Sequence, residues 1–399
     1  MKEIKWMYLA VALIVAACGV EEIGRRPVVN RDDVWVGPGA DVESDSRDVC
    51  YVTGFEYPLE YDWRTDPEKG SVKCSLVVFA DGLPMMKVPV GDTYEVSSDP
   101  DMHRMIAGHL YTDYSTDTET VIKKDGVTIL RYPGREMICG ILVENDTTIY
   151  TLGQFRHGEG FAFRKNGEII LERSSGRTYG RLQGDEGRVS FAFVEPVISD
   201  KDVIERYYHY TDGQVIQTAL RDDVIKVWDI VSYKGGICYL ASLLGVDYPV
   251  LFQNDMMSAM AMPDGASPLS LRILCDDEYL FCEGLFTSPD VTMASALWFS
   301  PGQCVAFAEG MVANSCCISG DSICCAFNPS SLGGVIYRGG EEFSIPAGYT
   351  VMGANCGAVA NGMLYFGLSS LTGARPKIWR DGNMEILDLC GYIASVSSY

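Results

Sequence analysis

The stretch that decides the fold is residues 377–386, KIWRDGNMEI, in which an Asp-Gly pair separates two short segments containing apolar residues. Asp-Gly favours the positive φ angles of a type I′ turn, whose twist suits a tight hairpin between two strands. A short apolar or aromatic strand followed by such a polar turn recurs along the chain. The turns are Phe79-Ala80-Asp81-Gly82, Lys123-Lys124-Asp125-Gly126, Arg164-Lys165-Asn166-Gly167, Tyr210-Thr211-Asp212-Gly213, Phe252-Gln253-Asn254-Asp255, Phe299-Ser300-Pro301-Gly302, Tyr337-Arg338-Gly339-Gly340 and Trp379-Arg380-Asp381-Gly382.

The spacing of these turns indicates the architecture. Their last residues are 82, 126, 167, 213, 255, 302, 340 and 382, so the intervals lie between 38 and 47 residues. A repeat of this length with four strand-sized segments is typical of a β-propeller blade, whereas helical repeats would show a 3.6-residue apolar period. We therefore predict an all-β chain that forms a single β-propeller. It has eight blades, or seven if the degenerate copy ending at Asp255 is not a blade turn.

The last repeat also predicts the strands within a blade. Val351 to Ala360 is expected to be the inner strand, Met363 to Leu368 the second, Lys377 to Arg380 the third and Met384 to Leu387 the outer one.

The two ends of the repeat region predict how the ring closes. Residues 391–399 form an inner-type segment without a blade of their own, and Cys50 to Glu56 forms a second-strand segment without an inner partner. Pairing of the C-terminal strand into the first blade would close the ring and remove an open sheet edge.

The N-terminus resembles the signal peptide of bacterial lipoproteins. Lys2 and Lys5 precede an apolar run from Trp6 to Ala17, and Val15-Ala16-Ala17-Cys18 resembles a lipobox. Twelve residues of helix span about 18 Å, which is too short to cross a bilayer. The resemblance implies cleavage after residue 17 and lipidation of Cys18. Residues 18–47, rich in charged residues, Pro and Gly, are then a flexible tether, and residues 48–399 are the propeller.

Two further features resemble Gram-negative lipoproteins. Gly19 rather than Asp follows the cysteine, and Glu21-Glu22 resembles the export signal of surface-exposed lipoproteins. Together they imply attachment to the bacterial outer membrane, either facing the periplasm or exposed at the surface. The turn Trp379-Arg380-Asp381-Gly382 resembles the Trp-Lys-Asn-Gly-like blade turn of propeller-type lipoproteins from these bacteria, a resemblance that concerns the fold.

The charge of the chain limits the classes of partner. The formal net charge is −22, and removal of residues 1–17, with Lys2, Glu3 and Lys5, makes it −23. Nucleic-acid binding depends on basic contacts to phosphates, so we do not expect a nucleic-acid partner.

Motifs for catalysis are scarce in this sequence. There are four histidines, none in a metal-ligand spacing, and no Gly-x-Ser-x-Gly elbow or phosphate-binding glycine loop. We predict no metal and no cofactor, and we favour a non-catalytic propeller that binds a glycan, a peptide or a protein. The alternatives are an enzyme, such as a glycoside hydrolase or lyase with converging carboxyl groups at the channel mouth, or a structural subunit of an envelope complex.

Cysteines recur at matching positions in two successive blades. Cys275 and Cys282, and likewise Cys317 and Cys324, are seven residues apart and flank a predicted hairpin turn. Residues equidistant from such a turn face each other, so cross-strand disulfides are one interpretation. The other is that cysteine serves as a small apolar residue near the propeller axis.

Three arginines are the candidate ligand site. Arg135, Arg177 and Arg221 follow their blade turns by eight to ten residues, in three consecutive loops between one blade and the next. These loops should open on one face, where the guanidinium groups would form a cationic patch for carboxylate or phosphate, and Tyr132 and Tyr179 could stack on a ligand ring. Alternatively, the arginines pair with acids such as Glu136, Asp222 and Asp223.

Overall fold

A computed structural model describes the propeller region and one short segment before it. The described residues are 35–36, 49–59, 61, 74–91, 103–145, 147–155, 160–185, 188–199, 202–234, 236–253, 256–260, 262, 265–276, 278–287, 293–299, 303–329 and 333–398. The predicted signal peptide, Cys18 and most of the predicted tether lie outside these residues.

The described chain forms eight antiparallel sheets arranged in a ring, which is an eight-bladed β-propeller. Each blade is a meander in which the first strand in the chain lies innermost, except in blade 1, where the inner strand comes from the C-terminus. The strand that contains Phe252 is the third strand of blade 5, and it pairs with the outer strand of that blade. The prediction of eight blades is therefore confirmed, and the alternative of seven is wrong.

The first half of the chain supplies blades 1 to 4. Their strands are β1 (Trp35–Val36), β2 (Cys50–Glu56), β3 (Cys74–Ala80) and β4 (Leu83–Gly91) in blade 1; β5 (His103–Ile106), β6 (His109–Ser115), β7 (Glu119–Lys124) and β8 (Val127–Pro133) in blade 2; β9 (Glu136–Glu144), β10 (Thr148–Phe155), β11 (Phe161–Lys165) and β12 (Glu168–Arg173) in blade 3; and β13 (Arg177–Asp185), β14 (Arg188–Ser199), β15 (Asp202–Thr211) and β16 (Gln214–Gln217) in blade 4.

The second half supplies blades 5 to 8 and the closing strand. The strands are β17 (Val224–Tyr233), β18 (Gly236–Leu243), β19 (Val250–Gln253) and β20 (Met256–Ala259) in blade 5; β21 (Ser267–Cys275), β22 (Leu280–Thr287), β23 (Met293–Phe299) and β24 (Gln303–Glu309) in blade 6; β25 (Met311–Ser319), β26 (Ser322–Pro329), β27 (Gly334–Arg338) and β28 (Glu341–Ile345) in blade 7; β29 (Tyr349–Thr350), β30 (Gly357–Ala360), β31 (Met363–Ser370), β32 (Lys377–Arg380) and β33 (Asn383–Ile386) in blade 8; and β34 (Gly391–Ser398) in blade 1.

The ring closes through the two ends of the propeller region. Strand β34 pairs antiparallel with β2 from Cys50 opposite Ser398 to Glu56 opposite Gly391, and it occupies the inner position of blade 1. The predicted closure is confirmed.

The blade turns that lie within the described residues, a set without those ending at positions 255 and 302, have the predicted type I′ geometry and an additional function. Asp381 and Gly382 have φ angles of +43° and +89°, and other Asp-Gly and Asn-Gly turns have similar values. The Leu364 N–H at the start of the second strand donates to Asp381 Oδ1 at 2.9 Å. Asp81, Asp125 and Asn166 accept the equivalent bond in their blades. The turn residue therefore joins the outer hairpin to the inner one.

Apolar and aromatic side chains fill the spaces between blades, and buried polar side chains connect them. Phe161, Phe163, Phe191 and Phe193 pack between blades 3 and 4. At the same seam, the Gln154 amide donates to Gly176 O and accepts from the Thr178 N–H. Because a buried polar group without a partner is costly, these bonds favour one arrangement of neighbouring blades.

Two strand predictions need correction. Residues 351–356 are not strand, so the inner position of blade 8 is divided between β29 and β30. The Val351 carbonyl instead accepts bonds from the Asn314 and Asn328 amides of blade 7, which takes this segment out of the sheet. In addition, β1, which lies within the predicted tether, pairs with Lys87 and Met86 on β4 as a fifth strand at the outer edge of blade 1.

The proposed disulfides also differ from the structure. Cys275 lies opposite Leu280, and Cys282 lies opposite Ile273, because the centre of the hairpin is one residue closer to Cys275 than the midpoint between the two cysteines. Cys317 and Cys324 are directly opposite each other but remain thiols, and burial raises the pKa of Cys324 to about 11.

The disulfide of blade 7 joins the neighbouring pair, Cys316 and Cys325, whose Cα atoms are 4.2 Å apart. Adjacent residues on a strand point to opposite faces, so the two cysteine pairs lie on different sides of the sheet.

Candidate functional site

The three predicted arginines lie at the same end of the ring. Arg177 begins inner strand β13, Arg135 directly precedes β9, and Arg221 precedes β17 by three residues. Because strands alternate in direction, this end also carries the turns between second and third strands. We call it the connector face: the end at which the outer strand of each blade continues into the inner strand of the next. That these three arginines form a ligand site stays a prediction.

Each arginine nevertheless pairs with a different acid. Arg135 Nη1 lies 3.3 Å from Asp117 Oδ1 of blade 2. Arg221 makes two bonds to Asp223, and its Nη1 also lies 3.6 Å from the sulfur of Met257 on the outer strand of blade 5. The side chain of Arg221 therefore extends along blade 5 towards its outer edge. A shared cationic patch stays a prediction.

Tyr132 lies in the interior rather than on the connector face. It is 5% exposed, and the Arg164 guanidinium lies 4.4 Å from its ring centroid. Arg164 in turn makes two 2.6 Å bonds to the Glu136 carboxylate, and both side chains are buried. Burial raises the pKa of Glu136, which the ion pair with Arg164 partly offsets. With its ring covered, Tyr132 is removed from the set of ligand-stacking candidates.

Arg177 and Tyr179 belong to a connected group that we call the blade 4 cluster: Arg177, Tyr179, Glu205 and Tyr207. Arg177 Nη2 donates to Tyr179 Oη at 2.7 Å and lies 3.2 Å from Glu205 Oε1. Tyr207 Oη donates to Glu205 Oε2 at 2.6 Å, and the two tyrosine rings lie 6.0 Å apart. The four side chains thus form a closed circuit of contacts.

Strand register explains why these side chains converge. Arg177 and Tyr207 both lie opposite Val194 of β14, so they occupy one row on one face of the sheet. Tyr179 and Glu205 are each two residues from a member of that row and point to the same side. The two β13 residues were candidates from the sequence, whereas the two β15 residues were not, because the register between these strands was not known.

Exposure and charge determine what this cluster can do. The side chains of Arg177 and Glu205 are 55% and 45% exposed, whereas Tyr207 is buried. Burial, followed by the bond to Glu205, raises the pKa of Tyr207 above its ordinary value, so the phenol keeps its proton. The cluster therefore offers solvent a guanidinium donor and a carboxylate acceptor beside the half-buried ring of Tyr179.

A long hairpin stands beside the cluster. Strand β14 pairs with β13 only as far as Val194, and β15 pairs with β16 only from Tyr208. The blade 4 hairpin, residues 195–206, therefore continues past the sheet by five residue pairs, or about 17 Å. Its side chains Ile198, Val203 and Ile204 are exposed. The apolar pattern on both sides of Asp200-Lys201-Asp202 was the sequence signal for this extension, and it was missed.

The enzyme alternative would require converging carboxyl groups. Asp229 and Glu283, between blades 5 and 6, are two carboxyl groups of the described chain whose charges interact. However, Asp229 accepts the N–H groups of Ile230 and Ile273, and Glu283 pairs with Arg272. Burial raises the pKa of Asp229, which the backbone bonds oppose. These contacts connect the two blades.

No group of three or more His, Cys, Asp and Glu side chains in the described part of the chain is arranged to hold a metal ion. Over the same residues, no helix has the length and apolar content needed to cross a bilayer.

Comparison of the sequence with protein-family models and with curated proteins returns no match. Among solved structures, the chain is similar to the β-propeller domain of Cps50 (Swd1) from Myceliophteria thermophila, with 12% identity, a TM-score of 0.36 and coverage of 68% of this chain and 93% of that one. It is also similar to the β-propeller domain of the Trilobed protease from Pyrococcus furiosus, with 9% identity, a TM-score of 0.40 and coverage of 71% of this chain and 92% of that one. A third similar structure is a post-proline cleaving enzyme from Rickettsia typhi, with 9% identity, a TM-score of 0.42 and coverage of 75% of this chain and 54% of that one. The strand order of the chain itself identifies the eight-bladed ring.

Proposed function

We propose that this protein is a lipid-anchored protein of the bacterial outer membrane whose propeller binds a glycan, without catalysis, at the connector face of blade 4. The blade 4 cluster carries the proposal. It places an exposed Arg177–Glu205 pair at the half-buried Tyr179, with the Arg177 guanidinium over one face of the Tyr179 ring, 5.2 Å from the ring centroid.

The chemistry of the cluster suits a sugar. Each sugar hydroxyl both donates and accepts hydrogen bonds, so neighbouring hydroxyls match a guanidinium beside a carboxylate, and the apolar face of a sugar ring can stack on a tyrosine. Exposed ion pairs contribute at most about 1 kcal/mol, so ligand hydroxyls can replace the Arg177–Glu205 contact at little cost. The internal bonds hold the side chains in place before binding, which reduces the ordering entropy lost on binding.

Anchoring in the envelope is supported by two independent features. The lipobox-like tetrad ending at Cys18 predicts lipidation, and the Cys316–Cys325 disulfide is of the kind that persists in oxidising compartments. Metabolic labelling with a palmitate analogue in a Gram-negative host tests the anchor. Label should enter the protein and be lost in Cys18→Ser, whereas equal labelling of both proteins contradicts lipidation.

Binding is tested with the full-length protein purified from the envelope in detergent and applied to an array of bacterial oligosaccharides. Arg177→Ala/Tyr179→Ala should lose at least ten-fold in affinity for any glycan retained by the unchanged protein. The matched control is Arg131→Ala on β8, the outer strand of blade 2, which removes an exposed ion pair with Glu119.

A second double variant, Arg135→Ala/Arg221→Ala, measures how far the site extends. Loss of binding in this variant as well would support the wider arginine patch predicted from the sequence. Retention only of peptides on a parallel peptide array would contradict the glycan assignment. Equal binding by the Arg177→Ala/Tyr179→Ala variant and the control would contradict the site.

A further inference from the structure

The blade 4 hairpin has two open backbone edges, and only one of them is suited to further pairing. Within the described residues, positions 195–199 and 202–206 pair with each other and with no other strand. An open strand edge is a template for adding another strand. The β14 edge contains Pro196, which has no N–H and interrupts pairing. The β15 edge contains Asp202 to Arg206 and no proline.

The direction of the backbone groups on β15 follows from one bond. The Thr218 N–H donates to the Tyr207 carbonyl at 2.8 Å, so the backbone groups of Tyr207 point away from β14. Backbone direction alternates along an antiparallel strand, so the groups of Glu205 and Val203 point outwards as well. The outer edge therefore presents two N–H donors and two carbonyl acceptors.

This edge is complementary to itself, and we propose that it pairs antiparallel with the same edge of a second copy of this chain, with the two-fold axis at Ile204. In this register Val203 of each copy lies opposite Glu205 of the other, so the outward backbone groups can form four hydrogen bonds. Position 202, an aspartate, lies opposite Arg206 of the second copy. Opposite charges placed directly across strands stabilise pairing.

Apolar exposure and register both favour this arrangement. Ile204 is 51% exposed and meets Ile204 of the second copy at the axis, which removes apolar surface of both from water. Moving the axis to position 205 would place the two Glu205 residues opposite each other. Moving the axis to a point between positions 204 and 205 would place residues whose backbone groups point outwards opposite residues whose backbone groups point inwards. The interface shares one surface between identical copies, as a two-fold dimer requires.

The arrangement is tested by cysteine cross-linking of the full-length chain in the envelope of a Gram-negative host. At a non-hydrogen-bonded pair the Cα atoms are about 4.5 Å apart, which suits a disulfide. Ile204→Cys should therefore give a disulfide-linked dimer on a non-reducing gel. The matched control is Ile198→Cys, which lies on β14 and is more exposed, at 85%, so random collision would favour the control.

Charge exchange tests the register. In the Ile204→Cys background, Arg206→Asp should reduce the dimer at least five-fold, because it opposes two acids. Adding Asp202→Arg should restore the dimer. Equal cross-linking of Ile204→Cys and Ile198→Cys, an unrestored dimer in the double exchange, or cross-linking of Ile204→Cys only to a different protein would each overturn the proposal. Glycan binding at the blade 4 cluster is measured separately, with the Arg177→Ala/Tyr179→Ala variant on the oligosaccharide array, so failure of one proposal is distinguished from failure of the other.

Discussion

Substitution of Asp381 tests the physical basis of the repeat. Its carboxylate accepts the N–H of Leu364, a fully buried residue, at 2.9 Å, and it also pairs with Arg338 at 2.6 Å. Its φ angle of +43° is one that aspartate, asparagine and glycine tolerate better than alanine. Three effects therefore combine in Asp381→Ala.

The magnitude follows from these contacts. Leaving a buried N–H without its acceptor costs about 1–3 kcal/mol, and left-handed backbone at an alanine costs about 1–2 kcal/mol. The half-exposed ion pair with Arg338 contributes at most about 1 kcal/mol. We expect Asp381→Ala to lower the free energy of unfolding by about 3 kcal/mol, which corresponds to a fall in Tm of about 4 °C for a domain of this size.

Two further variants separate the effects. Asp381→Asn keeps an acceptor and tolerates the φ angle, so it should lose no more than about 1 kcal/mol. Asp381→Gly removes the strain of the positive φ angle but also removes the acceptor, so its free energy of unfolding should lie between those of the alanine and asparagine variants. Urea denaturation followed by tryptophan fluorescence measures the order. Equal stability of the alanine and asparagine variants would refute the reasoning, because neither the bond nor the backbone conformation would then matter.

Two buried ionisable groups give further predictions. Burial lowers the pKa of His209, so the unfolded chain takes up a proton before the folded one does, and the free energy of unfolding should fall as pH drops below about 6.5. His209→Gln should flatten this dependence in urea titrations at several pH values, and an unchanged slope would contradict it. Arg164→Met should cost about 3–5 kcal/mol because it leaves the Glu136 carboxylate buried without its partner. Most of the loss should return in Arg164→Met/Glu136→Gln, and no recovery in thermal unfolding would argue against a buried charge as the cause.

The sequence predicted the features that depend on local chemistry. Asp-Gly and Asn-Gly turns require particular φ angles, so their spacing gave the blade number, and the unpaired C-terminal segment gave the closure. Features that depend on register could not be read in the same way. The hairpin after Cys275 is centred one residue closer to Cys275 than the spacing of the two cysteines suggested, so the residue opposite each cysteine was not identified.

The contacts around the predicted site residues depend on register in the same way. The position of Arg177 and Tyr179 on the connector face follows from strand direction, which the repeat supplies. Their partners Glu205 and Tyr207 come from β15, and only the pairing of Val194 with both strands brings the four together. Burial of Tyr132 depends on Arg164, a residue of the next blade that lies over its ring.

The C-terminal strand closes the ring by pairing into blade 1, and one substitution tests this closure. Cys50 lies opposite Ser398, so Ser398→Cys places two cysteines across the β2–β34 pair. Non-reducing peptide mapping of the full-length variant should find the C-terminal peptide linked to the peptide containing Cys50, whereas Ser397→Cys, opposite Tyr51, should not give this link. A C-terminal peptide that carries only a free thiol in Ser398→Cys, or equal linkage in both variants, would contradict the eight-bladed closed ring.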